Sequence, residues 1–292
     1  MEGLKIKPDG IYVDLTFGGG GHSRAIIEKL GKSGRLFAFD CDADAENNKI
    51  SDERFIFIRS NFVYFKNFLR YFNYTQVDGI IADLGLSWHQ IDDTNRGFAF
   101  GKNTNLDMRM NKELKHTAAY IINNYEENRL SELFYNYGEV ENSRKLAYII
   151  CNERKNNTID TSEKFIQVIK PCIPFKNENR YLAKVFQALR IEVNHELDSL
   201  KAMLLQIPEA LKINGRFVII TYHSLEDRVV KNFIRNGDFD KDEDDFISIQ
   251  GKDRKIWALK PVNKKVIVPA DDEIMKNNKA RSAKLRIAEK FC

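Results

Sequence analysis

Four consecutive glycines, Gly18 to Gly21, interrupt the run VDLTFGGGGHSRA near the amino terminus. Each glycine loses more backbone entropy on folding than any other residue, so a plain surface turn has little use for four of them. The residues before the glycines read as a strand, and the residues after them read as a helix. Because a loop without side chains lets a ligand lie directly against the main chain, we expect a ligand at this turn.

Short apolar runs alternate with helix-length segments through the first third of the chain. The runs IYVDLTF, RLFAFD, RFIFIRS and VDGIIADL are rich in β-branched and aromatic residues and predict strands. The segments HSRAIIEKL and FKNFLRYF carry apolar residues at helical spacing. This alternation predicts βαβ units in a doubly wound, largely parallel sheet, and therefore an α/β fold.

After NLDMRMN the pattern becomes helical almost throughout, which predicts an inserted all-helical domain. A long helix is then expected from Glu192 to Leu211, followed by the strand RFVIITYHS, the helix SLEDRVVKNFIRN and strands in KIWALKP and AKLRIAEKF. The predicted organisation has three segments. Residues 1–111 and 190–292 form the two parts of the α/β domain, and residues 112–189 form the helical domain.

The composition is that of an ordinary globular protein, with 43% hydrophobic and 30% charged residues. No apolar run approaches the ~20 residues of a membrane span, and MEGLKIKPDG has no apolar signal region, so we expect a cytoplasmic protein without a membrane partner. The four cysteines are scattered and the five histidines lack ligand spacing. The sequence therefore predicts neither a disulfide framework nor a bound metal.

The charge is uneven along the chain, although the formal net charge is only +4. From residue 251 to residue 292 there are twelve Lys or Arg residues against five acids. A basic surface of this kind is typical of proteins that meet a polyanion, and an ordinary solvated face is the alternative.

Two acidic residues end predicted strands and indicate a nucleoside ligand. Asp40 closes the second strand, twenty residues after Gly20, where a carboxylate can accept hydrogen bonds from both hydroxyls of a ribose. Asp83 closes the fourth strand at the same edge. A nicotinamide dinucleotide and S-adenosylmethionine both carry such a ribose. The pattern G-x-G-x-x-G fits poorly, because Ser23 or Arg24 takes the place of the third glycine, so the loop favours S-adenosylmethionine.

Five blocks of sequence together resemble the RsmH (MraW) family, the bacterial ribosomal RNA cytosine-N4 methyltransferases. In the family's order they are DLTFGGGGHS, DLGLSWHQIDDTNRGFAF leading to NLDMRM, FQALRIEVNHEL, YHSLEDRVVK and KARSAKLRIAE. The resemblance covers nearly the whole chain. It implies a class I, Rossmann-like S-adenosylmethionine-dependent methyltransferase with an inserted helical domain, for which we expect a role in RNA recognition. The implied reaction methylates the exocyclic N4 amine of one cytidine in the decoding region of 16S ribosomal RNA, within the small ribosomal subunit.

The resemblance also implies the residues of the site. The cofactor contacts would be Gly20, Gly21, His22, Asp40, Phe62, Asp83 and Gln90. For the amine we expect Asp83 or its neighbouring backbone carbonyls as the acceptor, with Asp107 and His223 as second choices. His223 has an alternative role at a helix entry, in which Ser224 is the cap and Asp227 completes an approximate capping box.

Further candidates concern the RNA. Trp88 and Phe98 could stack on the target base once it has left its helix, with packing under a loop as the alternative. The candidates for phosphate contacts are Arg109, Arg190, Lys231, Arg281 and Arg286.

The sequence departs from the family at two places. Members usually begin with a further stretch before the segment that matches LKIKPDG, and Trp88-His89 stands where they have a serine-proline pair. Two other functions remain as alternatives: a nucleotide-dependent dehydrogenase, for which no hydride-transfer residues are evident, and a ribosome-assembly factor that keeps the fold without turnover. A homodimer stays open beside a monomer.

Overall fold

The computed structural model describes residues 1–87, 90, 93, 96–99, 103–239 and 257–292. The chain divides into two compact units. The sheet unit comprises Met1–Gly85 and Leu197–Cys292, and the helical unit comprises Leu86–Glu196. Among the helices of the described residues, none is long and apolar enough to cross a membrane.

Seven strands form the sheet, in the order β3-β2-β1-β4-β5-β7-β6. They are β1 Ile11–Asp14, β2 Arg35–Asp40, β3 Phe55–Arg59, β4 Val77–Asp83, β5 Leu211–Thr221, β6 Leu259–Pro261 and β7 Lys284–Lys290. Strands β1 to β5 are parallel, and β7 is antiparallel to both β5 and β6. The strand order reverses at β1, between β2 and β4, which is where doubly wound sheets bind ligands. The predicted α/β class is therefore confirmed.

The helices flank this sheet or build the helical unit. Helix α1 Gly21–Ile27 lies between β1 and β2 along the chain, and α2 Phe65–Tyr71 lies between β3 and β4. The helical unit contains α3 Ala118–Asn124, α4 Glu127–Gly138, α5 Ser143–Glu153, α6 Ser162–Ile169 and α7 Glu178–Asn194. Next come α8 Glu196–Leu204, α9 Ile207–Ala210, α10 Ser224–Asn236 and α11 Asp271–Lys276. Short 3-10 helices cover Glu2–Leu4, Ala43–Asn48, Phe62–Tyr64, Lys170–Cys172 and Asn278–Ser282.

Successive side chains of a strand point to opposite faces of the sheet, so the continuous apolar runs of these strands make both faces apolar. On β2, Phe37 and Phe39 belong to the larger buried cluster, which includes Val13 and Phe217 from neighbouring strands. Leu36 belongs to a second cluster on alternate positions. Helices cover these faces, and on β1, β2 and β4 the carboxyl-terminal residue is an aspartate: Asp14, Asp40 and Asp83. The carboxyl edge of the sheet is therefore where chemistry can be placed.

The helical unit has its own apolar core, built around residues such as Phe134 and Phe165. Its first boundary lies at Leu86 rather than at the predicted residue 112, and its last residue is Glu196 rather than 189. The extended segment before α3 joins this core, because Leu106 and Met108 are buried in it. Such a segment has no helical periodicity, so the sequence pattern does not reveal where it belongs.

The predicted long helix from Glu192 to Leu211 is wrong. His195 has φ 50°, a left-handed conformation that ends α7, and its amide bonds back to the last turn. The chain continues as two shorter helices, α8 and α9, and Leu211 already starts β5. Apolar residues keep their helical spacing through the break, with Leu200 and Met203 in the buried core, so periodicity alone hides it.

Phe37 provides a test of the sheet core, because its side chain is fully buried. We expect Phe37→Ala to lower the free energy of unfolding by about 3–5 kcal/mol, the range for removing a buried aromatic ring. Tyr71, which is 78% exposed, provides the matched control, and Tyr71→Ala should stay within about 0.5 kcal/mol of the parent. Urea denaturation followed by circular dichroism measures both. Equal midpoints for the two variants would contradict this description of the core.

Candidate active site

The glycine loop follows β1 and turns the chain into α1. Gly18 and Gly20 have φ of 50° and 77°, the left-handed region that favours glycine. A Cβ on Gly20 would lie 2.8 Å from Nη1 of Arg24 and 3.0 Å from the ring of Phe17. Both the backbone conformation and the neighbouring side chains therefore require glycine at this position.

In the glycine loop, the carbonyls of Gly18 and Gly19 are bonded to side chains, whereas two amides have no partner among the described residues. The carbonyl of Gly18 accepts from Nδ2 of Asn48 at 3.0 Å, and that of Gly19 accepts from Arg24 at 2.6 Å. The amides of Gly19 and Gly21 donate to none of the described residues, and a Cβ on either glycine would meet nothing within 4 Å. The loop thus offers two uncovered amides beside empty space, which is what a ligand cradle requires.

Asp14 fixes the shape of this turn. Its carboxylate accepts from the Thr16 amide at 3.1 Å and from the Ser23 hydroxyl at 2.7 Å, so it joins the end of β1 to the first turn of α1. The Asp14 side chain is fully buried, and this desolvation raises its pKa. The sequence analysis missed Asp14, although an acidic residue at the end of an apolar strand was a visible signal.

Asp40 lies at the tip of β2, as predicted, and faces the glycine loop. Its Oδ2 accepts from the Gly18 amide at 2.7 Å, and its Oδ1 accepts from the Asp42 amide at 2.8 Å. Burial raises the pKa of Asp40 to about 6, against the lowering effect of these two hydrogen bonds. Each carboxylate oxygen has a second lone pair, so the group can still accept from ribose hydroxyls when it is ionised.

Asp83 lies at the tip of β4 and is held from three sides. Its Oδ2 is 3.3 Å from Nε2 of His22, its Oδ1 accepts from the Tyr222 hydroxyl at 2.9 Å, and its amide donates to the Thr16 hydroxyl at 2.6 Å. The structure thus brings together two predicted residues, His22 and Asp83. Their side chains are 38% and 29% exposed, so the pair is accessible from solvent. The hydrogen bond to Asp83 is the main cause that raises the pKa of His22.

Tyr222 is a component of the site that the sequence analysis did not select. Its hydroxyl bonds to Asp83, and its ring covers Gly85, whose Cβ position would lie 2.9 Å from that ring. Gly85 has φ 133°, so the segment after Asp83 turns with a glycine beneath the tyrosine. Burial foremost, and then the charge of Asp83, raise the pKa of Tyr222, which keeps its hydroxyl a proton donor.

Phe62 follows β3 in the 3-10 helix Phe62–Tyr64, whose first amides are capped by Asn61. The ring is partly buried and packs against the larger core cluster of the sheet unit. This packing accounts for Phe62 without a ligand, so its contact with the cofactor stays a prediction.

His223 caps α10 through its Nδ1, which accepts from the Glu226 amide at 3.4 Å. Glu226 in turn accepts from the Tyr222 amide at 2.9 Å, and its other oxygen is 3.1 Å from Nε2 of His223. The imidazole is only 7% exposed. The predicted cap Ser224 with Asp227 is therefore wrong: the capping pair is His223 with Glu226, one position earlier. A catalytic role for His223 stays a prediction.

Gln90 and Asp107 belong to the helical unit. Gln90 and Ser87 form a reciprocal pair of the capping-box type, in which each side chain accepts from the other's amide, at 3.0 and 3.2 Å. Asp107 binds the guanidinium of Arg109 through both oxygens at 2.7 Å. Burial would raise the pKa of Asp107, but the hydrogen bonds from Arg109 outweigh it and the pKa is lowered. Both functional roles stay predictions.

The candidates for RNA contacts have varied surroundings. Phe98 packs against the core of the helical unit, and Trp88 lies outside the described residues. Arg109 and Arg190 are each held by a carboxylate, Arg190 by Glu196 at 2.8 Å. In the sheet unit Arg286 binds Asp227 at 2.7 Å, and Arg281 is exposed.

Comparison with known proteins places the chain in a family. The model of the MraW methylase family matches residues 1–291. The chain belongs to this family. It is 53% identical over 292 residues to ribosomal RNA small subunit methyltransferase H of Bacteroides fragilis (strain YCH46), covering 99% of this chain and 94% of the relative. The relative of that name from Flavobacterium johnsoniae is 50% identical over 292 residues, with coverage of 100% and 95%.

Among solved structures, a rRNA methylase from Streptococcus thermophilus gives a TM-score of 0.42 with this chain at 11% identity, covering 99% of this chain and 92% of the other. A putative methyltransferase from Streptococcus mutans, in complex with SAH, gives a TM-score of 0.42 with 10% identity, covering 99% and 94%.

As a member of the MraW methylase family the chain is a methyltransferase, and this family uses S-adenosylmethionine. The residues of the sheet unit fit that cofactor. The uncovered amides and open Cβ positions of Gly19 and Gly21 provide space against the main chain. Asp40 provides a carboxylate at the position where a ribose binds in doubly wound folds.

The pKa of Asp40 gives the site a testable dependence on pH. A protonated carboxyl can no longer accept from both ribose hydroxyls, so affinity should fall as the pH drops through about 6. We expect S-adenosylhomocysteine to bind about tenfold more weakly at pH 5 than at pH 8. Calorimetric titration at both pH values measures this ratio.

Asp40→Asn is the control for that titration, because the amide does not ionise. The variant should bind about 1–3 kcal/mol more weakly at pH 8, and the additional loss at pH 5 should be smaller than in the parent. Since His22 remains in both proteins, only the difference between them reports on Asp40. Equal pH ratios in the two proteins would refute the ribose assignment.

Proposed function

We propose that this MraW methylase transfers a methyl group from S-adenosylmethionine to the exocyclic N4 amine of one cytidine in the decoding region of 16S ribosomal RNA, within the cytoplasmic small ribosomal subunit. Family membership and relatives at about 50% identity, named ribosomal RNA small subunit methyltransferase H, support RNA methylation. The choice of an amine as the acceptor rests on the arrangement of Asp83 at the tip of β4.

The carboxylate of Asp83 is the observation on which the reaction type depends. Tyr222 binds one of its oxygens and His22 lies beside the other, while Thr16 holds its backbone amide. Three fixed contacts leave the carboxylate little rotational freedom, yet each oxygen retains a free lone pair. Asp83 is thus a rigid hydrogen-bond acceptor at a ligand-binding edge, and an N–H group is the partner that it suits.

An acceptor of this kind is what cytosine N4 needs. Its lone pair is delocalised into the ring, so the amine is a weak nucleophile until its N–H groups are held and its nitrogen is rehybridised. The bound cofactor supplies an electrophilic methyl group. Asp83 holds one N–H of the amine and orients the nitrogen, a contribution of positioning more than of base strength. As the new N–C bond forms, the amine loses one proton, which Asp83 accepts and passes to water.

RNA recognition is assigned in part to the helical unit. Several of its aromatic side chains are well exposed: Tyr135 at 63%, Tyr148 at 56% and Phe175 at 103%. Exposed rings are the usual platforms on which unpaired bases stack. They support a surface that meets single-stranded RNA, consistent with a target base that leaves its helix before methylation.

The reaction is tested by nucleoside mass spectrometry of small-subunit RNA incubated with the protein and S-adenosylmethionine. We expect N4-methylcytidine at one position, and its loss in Asp83→Ala, which has no side-chain acceptor for the N–H of the amine. Intact small subunits and naked 16S RNA are compared in parallel. Absence of N4-methylcytidine with both substrates would contradict the proposal and favour an assembly factor without turnover.

Tyr222→Phe tests the role of the hydroxyl that holds Asp83. The ring stays on Gly85, so the fold should be retained, but one charged hydrogen bond is lost. We expect kcat to fall about 10- to 100-fold, as a hydrogen bond to a charged group contributes about 1.5–3 kcal/mol. The affinity for S-adenosylhomocysteine should change little.

The matched control is Tyr71→Phe, which removes a hydroxyl from a side chain that is 78% exposed. It should leave kcat unchanged. If Tyr222→Phe also keeps the parent kcat, then Asp83 does not depend on Tyr222 and its rigidity has another source.

A further inference from the structure

A basic cavity of about 200 Å³ opens in the sheet unit, beside α10 and the segment that joins β6 to β7. Ten of the described residues line it; five of these are cationic and none is acidic. The cations are Lys231, Arg235, Lys264, Lys265 and Arg286. Its volume would hold about six water molecules at ~30 Å³ each, enough for a tetrahedral anion with part of its substituent.

The walls of this basic cavity strengthen its field. Ile234 and Ile287, which contribute to the lining, are only 3% and 9% exposed and present apolar atoms. Charges of one sign beside a wall of low dielectric constant focus their potential into the space between them. The basic cavity is therefore suited to a phosphate group.

One of the cations is fixed in place before any ligand arrives. Arg286 donates from Nε to Asp227 at 2.7 Å and from Nη2 at 3.1 Å. Its Nη1 donates to none of the described residues, so that edge of the guanidinium remains available. Lys264 and Lys265 are exposed, and neither forms an ion pair within the part of the chain that the structure describes. A rigid arginine with two mobile lysines is a common arrangement around a phosphate.

Helix α10 connects the basic cavity to the candidate active site. The helix starts at Ser224, two residues after Tyr222, whose hydroxyl binds Asp83. At 1.5 Å per residue, Lys231 lies about 10 Å and Arg235 about 16 Å along the axis from that start. A nucleic acid strand with its target base at Asp83 could therefore place a nearby phosphate at the cavity.

We propose that the basic cavity binds a backbone phosphate of the RNA strand that carries the target cytidine. This inference rests on the proposed function, since it assumes an RNA substrate at Asp83. Phosphate contacts carry no sequence information, but they fix the register and orientation of the strand. The cavity would thus act as an anchor that positions the RNA without touching the reacting atoms.

The double variant Lys264→Ala, Lys265→Ala tests the anchor. Both side chains are exposed, so the fold should survive, and neither is part of the candidate active site. If both lysines contact phosphates, counterion release predicts about tenfold weaker binding of a decoding-region RNA fragment at 0.15 M salt. The slope of log Kd against log salt concentration should fall by about 1.4. With small subunits KM should rise about tenfold, while kcat and the affinity for S-adenosylhomocysteine stay unchanged.

The matched control removes two lysines that do not line the basic cavity. Helix α1 joins β1 to β2, whereas the basic cavity lies beside β6 and β7 at the other end of the strand order. Lys29 and Lys32 follow α1 and are exposed. Lys29→Ala, Lys32→Ala changes the net charge equally and should leave RNA binding, KM and the salt slope close to the parent values.

Three results would overturn the inference. If the parent methylates RNA but both double variants behave alike, the basic cavity is no anchor and the proposed function stands. If the cavity variant loses activity on small subunits but binds naked RNA normally, the partner is an acidic protein surface instead. If the parent neither binds nor methylates RNA, the proposed function fails and the inference fails with it.

Discussion

The buried carboxylate of Asp14 is the interaction on which the rest of the site depends. It accepts from the Thr16 amide and the Ser23 hydroxyl on either side of the glycine loop, and losing either partner would leave a buried polar group without its hydrogen bond. Thr16, held in this way, accepts from the amide of Asp83. The loop in turn places the Gly18 amide on Asp40. A single carboxylate thereby sets the relative positions of the acidic tips of β2 and β4.

The two acidic tips have different surroundings, and this difference suits two tasks. Asp40 accepts hydrogen bonds from two main-chain amides, and burial raises its pKa to about 6. A ligand that donates hydrogen bonds to it would favour the ionised carboxylate. Asp83 is 29% exposed and has a tyrosine hydroxyl and an imidazole as neighbours. The proposed roles of Asp40 at a ribose and of Asp83 at an amine are consistent with this difference in neighbours.

Much of this arrangement was predictable because the relevant signals are local. The apolar runs that end in Asp40 and Asp83 predict two strand ends. The glycines between a strand and a helix predict a loop at the same edge. The rules for parallel sheets place ligands at this edge. The family resemblance then supplied the reaction type. Tyr222 could not be found in this way, because its contact with Asp83 joins residues 139 positions apart in the sequence.

Other features escaped prediction for reasons of tertiary structure. His195 ends α7 in a left-handed conformation although the apolar spacing continues beyond it. The segment with Leu106 and Met108 belongs to the helical unit through burial and has no periodic pattern of its own. The cap of α10 is His223, which accepts from the Glu226 amide. Histidine is not among the preferred N-cap residues, so the sequence pattern pointed to the neighbouring Ser224.

The central claim is that the carboxyl edge of β1, β2 and β4 binds S-adenosylmethionine and presents its methyl group beside Asp83. A crystal structure with bound S-adenosylhomocysteine measures this most directly. The account predicts ribose hydroxyls within hydrogen-bonding distance of Asp40, and main-chain contacts from Gly19 and Gly21. A ligand bound elsewhere on the chain, with the glycine loop and Asp40 untouched, would contradict it.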